Sequence, residues 1–159
     1  MELDRMSHAE RLSLLGVRGR RVPPHILAAV MALVGTEEVN KSLCDLRADE
    51  RQEGVEWRVL VTTATRMIYV ADAGPATLDW TSTFPGSQAP PTLGVYSWAH
   101  PLPEIHAHVT HVRAHNSWDW VAELTWRIDA AGTDWCTVPL FDNGDAARAE
   151  EFMSALVAV

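Results

Sequence analysis

The most regular alternation of hydrophobic and polar positions lies in residues 56–72. Trp57, Val59 and Val61 occupy every second position, which is the period of a β-strand. The polar segment Thr63-Ala64-Thr65-Arg66 follows, and the apolar run of residues 67–71 comes directly after it. Two apolar runs joined by a short polar segment predict a β-hairpin.

The rest of the pattern predicts further strands with helices on either side of them. Between residues 118 and 129, apolar side chains at even positions alternate with mostly polar ones, which predicts one core face and one wet face. Helical spacing predicts a short helix near residues 7–15, a helix at 25–34 that follows Pro23-Pro24, and a C-terminal helix that buries Ala149, Phe152, Met153 and Leu156. The other predicted strands are 40–49, 77–83, 95–98, 105–115 and 134–141.

Length and composition indicate one globular domain. The chain has 159 residues, of which 47% are hydrophobic and 21% are charged. It has no apolar run of the roughly 18 residues that a membrane-spanning helix needs, and its first residues lack the apolar core of a secretory signal. We therefore expect a cytoplasmic protein without strong membrane binding, made of an N-terminal helix and basic linker (1–22) and a domain (23–159) that includes the helix at 25–34.

The charge of the chain narrows the choice of partners. A formal net charge of −8 repels nucleic acid and anionic membranes at long range, so neither is expected as a partner. Cys44 and Cys136 stand far apart, each without a second cysteine nearby. This spacing excludes the metal-ribbon and thioredoxin patterns and predicts two buried thiols, with a disulfide between them as the less favoured alternative.

The hairpin also carries a resemblance to a known family. The motif Thr63-x-x-Arg66 between two apolar strands, together with the order of elements over residues 39–159, resembles the bacterial pleckstrin-homology-like (PH-like) domains. The resemblance implies an α+β fold, in which about seven antiparallel strands in two sheets form an open barrel capped by a C-terminal helix. One or two N-terminal helices would be additions to it. The family implies binding rather than catalysis, and Arg66 is expected to hold the turn rather than a ligand.

Aromatic residues within the proline-rich segment 73–103 are the candidate partner-binding site. Large rings give contact area at little cost in rotamer entropy, which suits recognition of a protein or peptide. An equally weighted alternative is that the rings only close one end of the core. We therefore predict a non-catalytic module that binds a protein or peptide, with self-association as a companion. The residues assigned to this site are Trp80, Phe84, Tyr96 and Trp98.

Histidines on the predicted strand 105–115 suggest an alternative function. His106 and His108 share one face of a strand, with Glu104 beside them, and imidazole and carboxylate are zinc ligands. His111 would lie on the other face unless a bulge turned it. The alternative is a small barrel that binds a metal or an apolar ligand through residues 104–115, with Glu123 as a further candidate, and that could be an enzyme. The chain lacks the common nucleophile and phosphate-loop motifs, so no enzyme activity and no cofactor are expected.

Overall fold

The computed structural model describes residues 21–49, 54–75, 96–114, 122–139 and 146–158. The predicted N-terminal helix, the predicted strand 77–83, and Trp80 and Phe84 of the candidate site lie outside these residues. The chain divides into two compact units, Met1–Ala99 and His100–Val159. The described elements are α1 (Pro24–Val34), β1 (Lys41–Asp49), β2 (Gly54–Thr62), β3 (Arg66–Pro75), β4 (Tyr96–Pro101), a 3-10 turn (Leu102–Glu104), β5 (Ile105–Ala114), β6 (Ala122–Ala130), β7 (Asp134–Pro139) and α2 (Ala146–Val157).

The N-terminal unit contains a sheet in which β1, β2, β3 and β4 are neighbours in sequence order. The predicted hairpin is confirmed, because β2 pairs antiparallel with β3 and places Val59 opposite Val70. Side chains at alternate positions of β1, β2 and β3 form a core with α1 on one face of the sheet. The fully buried members on the strands include Val59, Val61, Ile68 and Val70, and those on the helix are Ile26, Val30 and Val34.

Proline and glycine set the two ends of α1. The amides of Ile26 and Leu27 both donate to the carbonyl of Pro23, which marks the first turn of the helix. Pro24 is tolerated in this turn because the amide hydrogen that it lacks would have no partner within the helix. The helix ends at Val34, and Gly35 after it has φ 65° and donates its amide to the carbonyl of Met31. A positive φ is open to glycine at little steric cost, and this explains the stop signal at this position.

The Thr63-x-x-Arg66 motif fastens the β2–β3 turn to the end of α1. Arg66 donates to the carbonyl of Val34 at 3.1 Å and to the carboxylate of Glu37 at 2.7 Å. The hydroxyls of Thr63 and Thr65 donate to the same carboxylate. We call Thr63, Thr65, Arg66 and Glu37 the turn clamp. Arg66 therefore holds the turn, as the sequence predicts.

The C-terminal unit contains a sheet in the order β5-β6-β7, with antiparallel pairs throughout. The alternation along β6 is confirmed where it is described, since Ile128 and Ala130 are buried while Arg127 is exposed. Cys136 and Val138 of β7 lie opposite Ile128 and Trp126 and are buried as well. Helix α2 buries Ala149, Phe152 and Met153, and Leu156 is only half-buried.

The coarse fold prediction is confirmed: the protein is α+β, with two antiparallel sheets and a C-terminal helix. The predicted helix 25–34 is α1, and the predicted strand 40–49 is β1, which begins one residue later. The predicted strand 105–115 is β5, described as far as Ala114. Strand β4 runs three residues beyond the predicted end of its segment at 98, and β7 covers Asp134–Pro139 of the predicted 134–141, whose last two residues lie outside the described ranges. Among the described helices, none has the length and apolar character that crossing a membrane requires.

Candidate functional site

Two of the four predicted partner-binding residues lie on β4, a strand at one edge of the described N-terminal sheet. Tyr96 and Trp98 are two residues apart, so they share a face of that strand. Tyr69 of β3 lies between them: its ring meets that of Tyr96 edge-on, with centroids 6.0 Å apart, and that of Trp98 at 5.5 Å and a tilt of 34°. We call Tyr69, Tyr96 and Trp98 the aromatic cluster.

The two rings of β4 differ sharply in exposure. Tyr96 is 45% exposed, whereas Trp98 is 5% exposed and Tyr69 is buried. The face they share is also buried further along the sheet, at Leu60 and Met67. Trp98 therefore fits the interpretation in which the rings close the core. Tyr96 presents its ring to solvent, as the partner-binding interpretation requires.

The candidate metal residues are not gathered into one site. Glu104 lies in the 3-10 turn, and its Oε2 faces Nδ1 of His100 at 3.7 Å. Nε2 of His100 lies 2.7 Å from the carboxylate of Asp134, so this imidazole sits between two carboxylates. His106 and His108 are exposed on β5. Across the part of the chain that the structure describes, no three His, Cys, Asp or Glu side chains are grouped to hold a metal ion.

A bulge in β5 brings a third histidine to the face of the first two. His106 lies opposite Asp129 and His108 opposite Arg127, after which the register shifts between Val109 and His111, and His111 lies opposite Thr125. Because residues 125, 127 and 129 share one face of β6, the three histidines also share one face. In a regular strand without the bulge, His111 would lie on the face opposite to His106 and His108.

One face of the C-terminal sheet therefore carries polar and aromatic side chains on all three strands. Trp135 and Thr137 of β7 lie opposite Asp129 and Arg127, which places them on the same face. Trp135 is 50% exposed. We call this surface the histidine face; its described side chains are His106, His108 and His111 of β5, Thr125, Arg127 and Asp129 of β6, and Trp135 and Thr137 of β7.

A chain of polar contacts crosses the histidine face. Nε2 of His108 lies 3.3 Å from one carboxylate oxygen of Asp129, and Nε of Arg127 donates to the other at 2.8 Å. The Arg127 guanidinium also lies over the Trp135 ring, 4.9 Å from its centroid, in cation–π geometry. The carboxylate and the ring fix the position of the arginine, so its charge is held at the middle of the surface.

Two buried polar pairs were missed by the sequence analysis. Asp72 of β3 faces α1, and its carboxylate, 1% exposed, lies 2.8 Å from Nε2 of His25. On the opposite face of the same sheet, buried Arg58 bonds Asp45 of the neighbouring strand. An Asp or Glu at a core-facing position of a predicted strand indicates a buried polar pair, because a buried carboxylate requires a hydrogen-bond or charge partner. Sequence alone gives no means of identifying that partner 47 residues away.

The turn clamp and the cysteines complete the set of chemically notable groups. Hydrogen bonds from Thr63 and Thr65, with a lesser contribution from Arg66, hold the pKa of Glu37 below its ordinary value against the opposing effect of burial. Cys44 and Cys136 are buried thiols, as predicted.

Comparisons with protein families, with curated proteins and with solved structures found no match to this chain.

Proposed function

We propose that the chain is a non-catalytic binding module of the PH-like type that recognises a protein or peptide partner through the aromatic cluster. The observation that carries the proposal is the exposed ring of Tyr96, held edge-on against Tyr69 at the start of β4. A ring already fixed in place loses little conformational entropy when a partner covers it, and tyrosine is among the residues most enriched at binding hot spots. Two antiparallel sheets and a C-terminal helix are compatible with a PH-like open barrel.

The packing beneath Tyr96 supports this assignment. Trp98 is buried against Tyr69, and Tyr69 in turn contacts Tyr96, so the exposed ring rests on the core. Strand β4 lies at the edge of the described sheet, where the backbone of an added peptide strand could pair beside it. The proposed surface also includes Trp80 and Phe84. The proposal further takes the protein to be cytoplasmic and to associate with itself.

The proposal is tested by partner capture with variants of Tyr96. Immobilised protein is incubated with a lysate of the source organism, and captured proteins are identified by mass spectrometry. Tyr96→Ala is expected to lose the partner that the parent protein retains, because the ring and its contact area are removed. Tyr96→Phe keeps the ring and is expected to retain the partner.

Val157→Ala is the matched control, because Val157 is 61% exposed on α2 and lies outside the aromatic cluster. Capture that survives Tyr96→Ala, or that is lost equally in Val157→Ala, would contradict the proposed surface. Native mass spectrometry of the untagged protein measures self-association directly. The native mass could also exceed a whole multiple of the chain mass, with the excess disappearing when the protein is denatured. That result would favour the alternative function, a barrel that binds a metal or a small ligand.

A further inference from the structure

The histidine face gathers side chains that can donate hydrogen bonds to an anion, although the chain as a whole is acidic. The chain carries a formal net charge of −8, yet three histidines and Arg127 gather on this one described sheet face. Its described carboxylate, Asp129, is already bonded by Arg127 and faces His108. A surface with these groups complements an anion at short range.

The hydrogen-bonding capacity of the face is only partly used. Arg127 bonds Asp129 through Nε, and neither of its Nη nitrogens bonds a carboxylate of the described residues. His106 and His111 are exposed and have no hydrogen-bond partner among the described side chains. These groups are left to bind carboxylates supplied from outside.

The spacing of the histidines matches an extended peptide. His106 and His111 lie opposite residues 129 and 125 of β6, which are four residues and about 13 Å apart along a strand. Side chains four positions apart in an extended peptide are separated by the same distance. We propose that the histidine face binds an extended acidic segment of a protein partner, in which two carboxylates four positions apart meet His106 and His111 while another meets Arg127. An apolar side chain of the segment rests on the exposed Trp135 ring.

An acidic peptide fits this surface better than a nucleic acid does. Nucleic acid brings about one negative charge per 1.7 Å of duplex and needs several permanent cations to displace its counterions. Arg127 is the one permanent cation among the described side chains of the histidine face, and the chain around it is acidic. A short peptide brings a few charges at strand spacing, which this face can meet one by one.

This inference rests on the proposed function in one respect, that the partner is a protein, but it concerns different residues. Tyr96→Ala is expected to leave binding of an acidic peptide unchanged. If the acidic peptide fails to bind, capture through Tyr96 is still tested separately, so the two proposals can fail independently.

The test is fluorescence anisotropy with a labelled peptide in which glutamate and threonine alternate over 10 residues, the length of β5. A peptide with glutamine in place of glutamate is the uncharged control. We expect saturable binding of the glutamate peptide, and tighter binding near pH 6 than near pH 8, because histidine is the side chain that gains charge in this range. Among the described side chains, the charged groups facing these histidines are Asp129 and Arg127 of β6, and the register also places the positions of Glu123 and Arg113 on this face. The β7 positions, Trp135 and Thr137, do not titrate in that range.

Two variants locate the site. Arg127→Gln is expected to weaken binding about tenfold, the effect of losing one charge-assisted hydrogen bond. The double variant His106→Gln/His111→Gln leaves the Arg127–Asp129 pair in place, and it is expected to lose most of the difference between the two pH values. Arg47→Gln and Arg21→Gln are controls, because both arginines are exposed and lie outside the face.

Four results would overturn the proposal: no saturable binding at either pH, equal binding of the glutamine peptide, tighter binding of an oligothymidylate of the same length, or an equal loss of affinity in Arg47→Gln or Arg21→Gln.

Discussion

The hydroxyl of Thr63 donates to the carboxylate of Glu37 at 2.5 Å, across 26 residues of sequence. Thr63 belongs to the turn between β2 and β3, and Glu37 follows the end of α1, so this hydrogen bond joins a hairpin to a helix. Thr65 and Arg66 bond the same carboxylate. The turn clamp therefore combines a local turn with a long-range contact, and its strength can be measured.

Acid should weaken the clamp. The threonine hydroxyls and Arg66 lower the pKa of Glu37 in the folded protein, so its contribution to stability is complete above the unfolded pKa and is lost as the pH falls through the folded value. We expect Glu37→Gln to lower the free energy of unfolding by about 1–2 kcal/mol at neutral pH, after allowing for its partial exposure. Urea unfolding from about pH 7 down to about pH 3 measures it. A difference between parent and variant that stays constant across this range would contradict the prediction.

Thr63 should be the most sensitive hydroxyl of the clamp. It is 1% exposed, donates to Glu37, and accepts hydrogen bonds from the amides of Thr65 and Arg66. Thr63→Val keeps the shape but removes the oxygen, and it should cost about 1–3 kcal/mol because two amides and a carboxylate lose a partner. Thr63→Ser, which keeps the hydroxyl, should cost clearly less. Thermal unfolding compares the two, and equal losses would mean that packing rather than hydrogen bonding is responsible.

The His25–Asp72 pair should show strong coupling. Removal of the imidazole leaves a carboxylate that is 1% exposed without this hydrogen-bond partner, and an unsatisfied buried acceptor costs about 1–3 kcal/mol, or more when it is charged. We expect a value at the lower end of this range for His25→Ala, because the histidine itself is 22% exposed. A double-mutant cycle with Asp72→Asn isolates the pairwise part. Additive effects of the two substitutions would show that the pair contributes nothing beyond its separate members.

The two aromatic residues of β4 should separate stability from binding. Trp98→Ala removes a side chain that is 5% exposed and should lower the free energy of unfolding by about 3 kcal/mol or more. Tyr96→Ala removes a ring that is 45% exposed and should cost less than about 1 kcal/mol. Denaturant titration of both variants checks this. A loss of similar size in Tyr96→Ala would mean that its ring has mainly a structural role.

Gly35 should resist substitution for a backbone reason alone. Its φ is 65° and its ψ is −119°, a conformation that other residues adopt only with strain, while a Cβ at this position would meet no atom within 4 Å. Gly35→Ala should therefore destabilise the protein by about 1–3 kcal/mol without any steric clash. Thermal unfolding measures the effect, and an unchanged midpoint would show that the end of α1 adjusts to the new residue.

The elements that could be predicted from sequence are those in which pattern and burial agree. The β2–β3 hairpin and α1 were predicted because their apolar residues recur at the periods of a strand and a helix, and packing buries those residues. The end of β4 was less well predicted, since it lies at Pro101 and depends on neighbouring strands. Periodicity gives the type of an element but not the strand it pairs with.

The candidate sites were predictable only in part. Residue type identified Tyr96 and the histidines, but only the register shows that His111 joins His106 and His108. The sequence does not show exposure either, because Tyr96 and Trp98 look alike in it. In the structure their exposed fractions differ ninefold, since Tyr96 lies at the start of the strand and Trp98 packs against Tyr69. Long-range pairs such as His25 and Asp72 are set by how α1 lies on the sheet, and no local pattern encodes that.

The bulge in β5 also determines how this strand tolerates changes in length. The register passes from Val109 to His111 against a single step on β6, so Thr110 is the residue without a counterpart. Deleting a residue from a regular strand reverses the faces of everything beyond it. Deleting Thr110 would instead leave a regular strand in which His106, His108 and His111 still share a face. At Thr110, the loss of a single codon from the gene would therefore leave the surface that the histidines form in place.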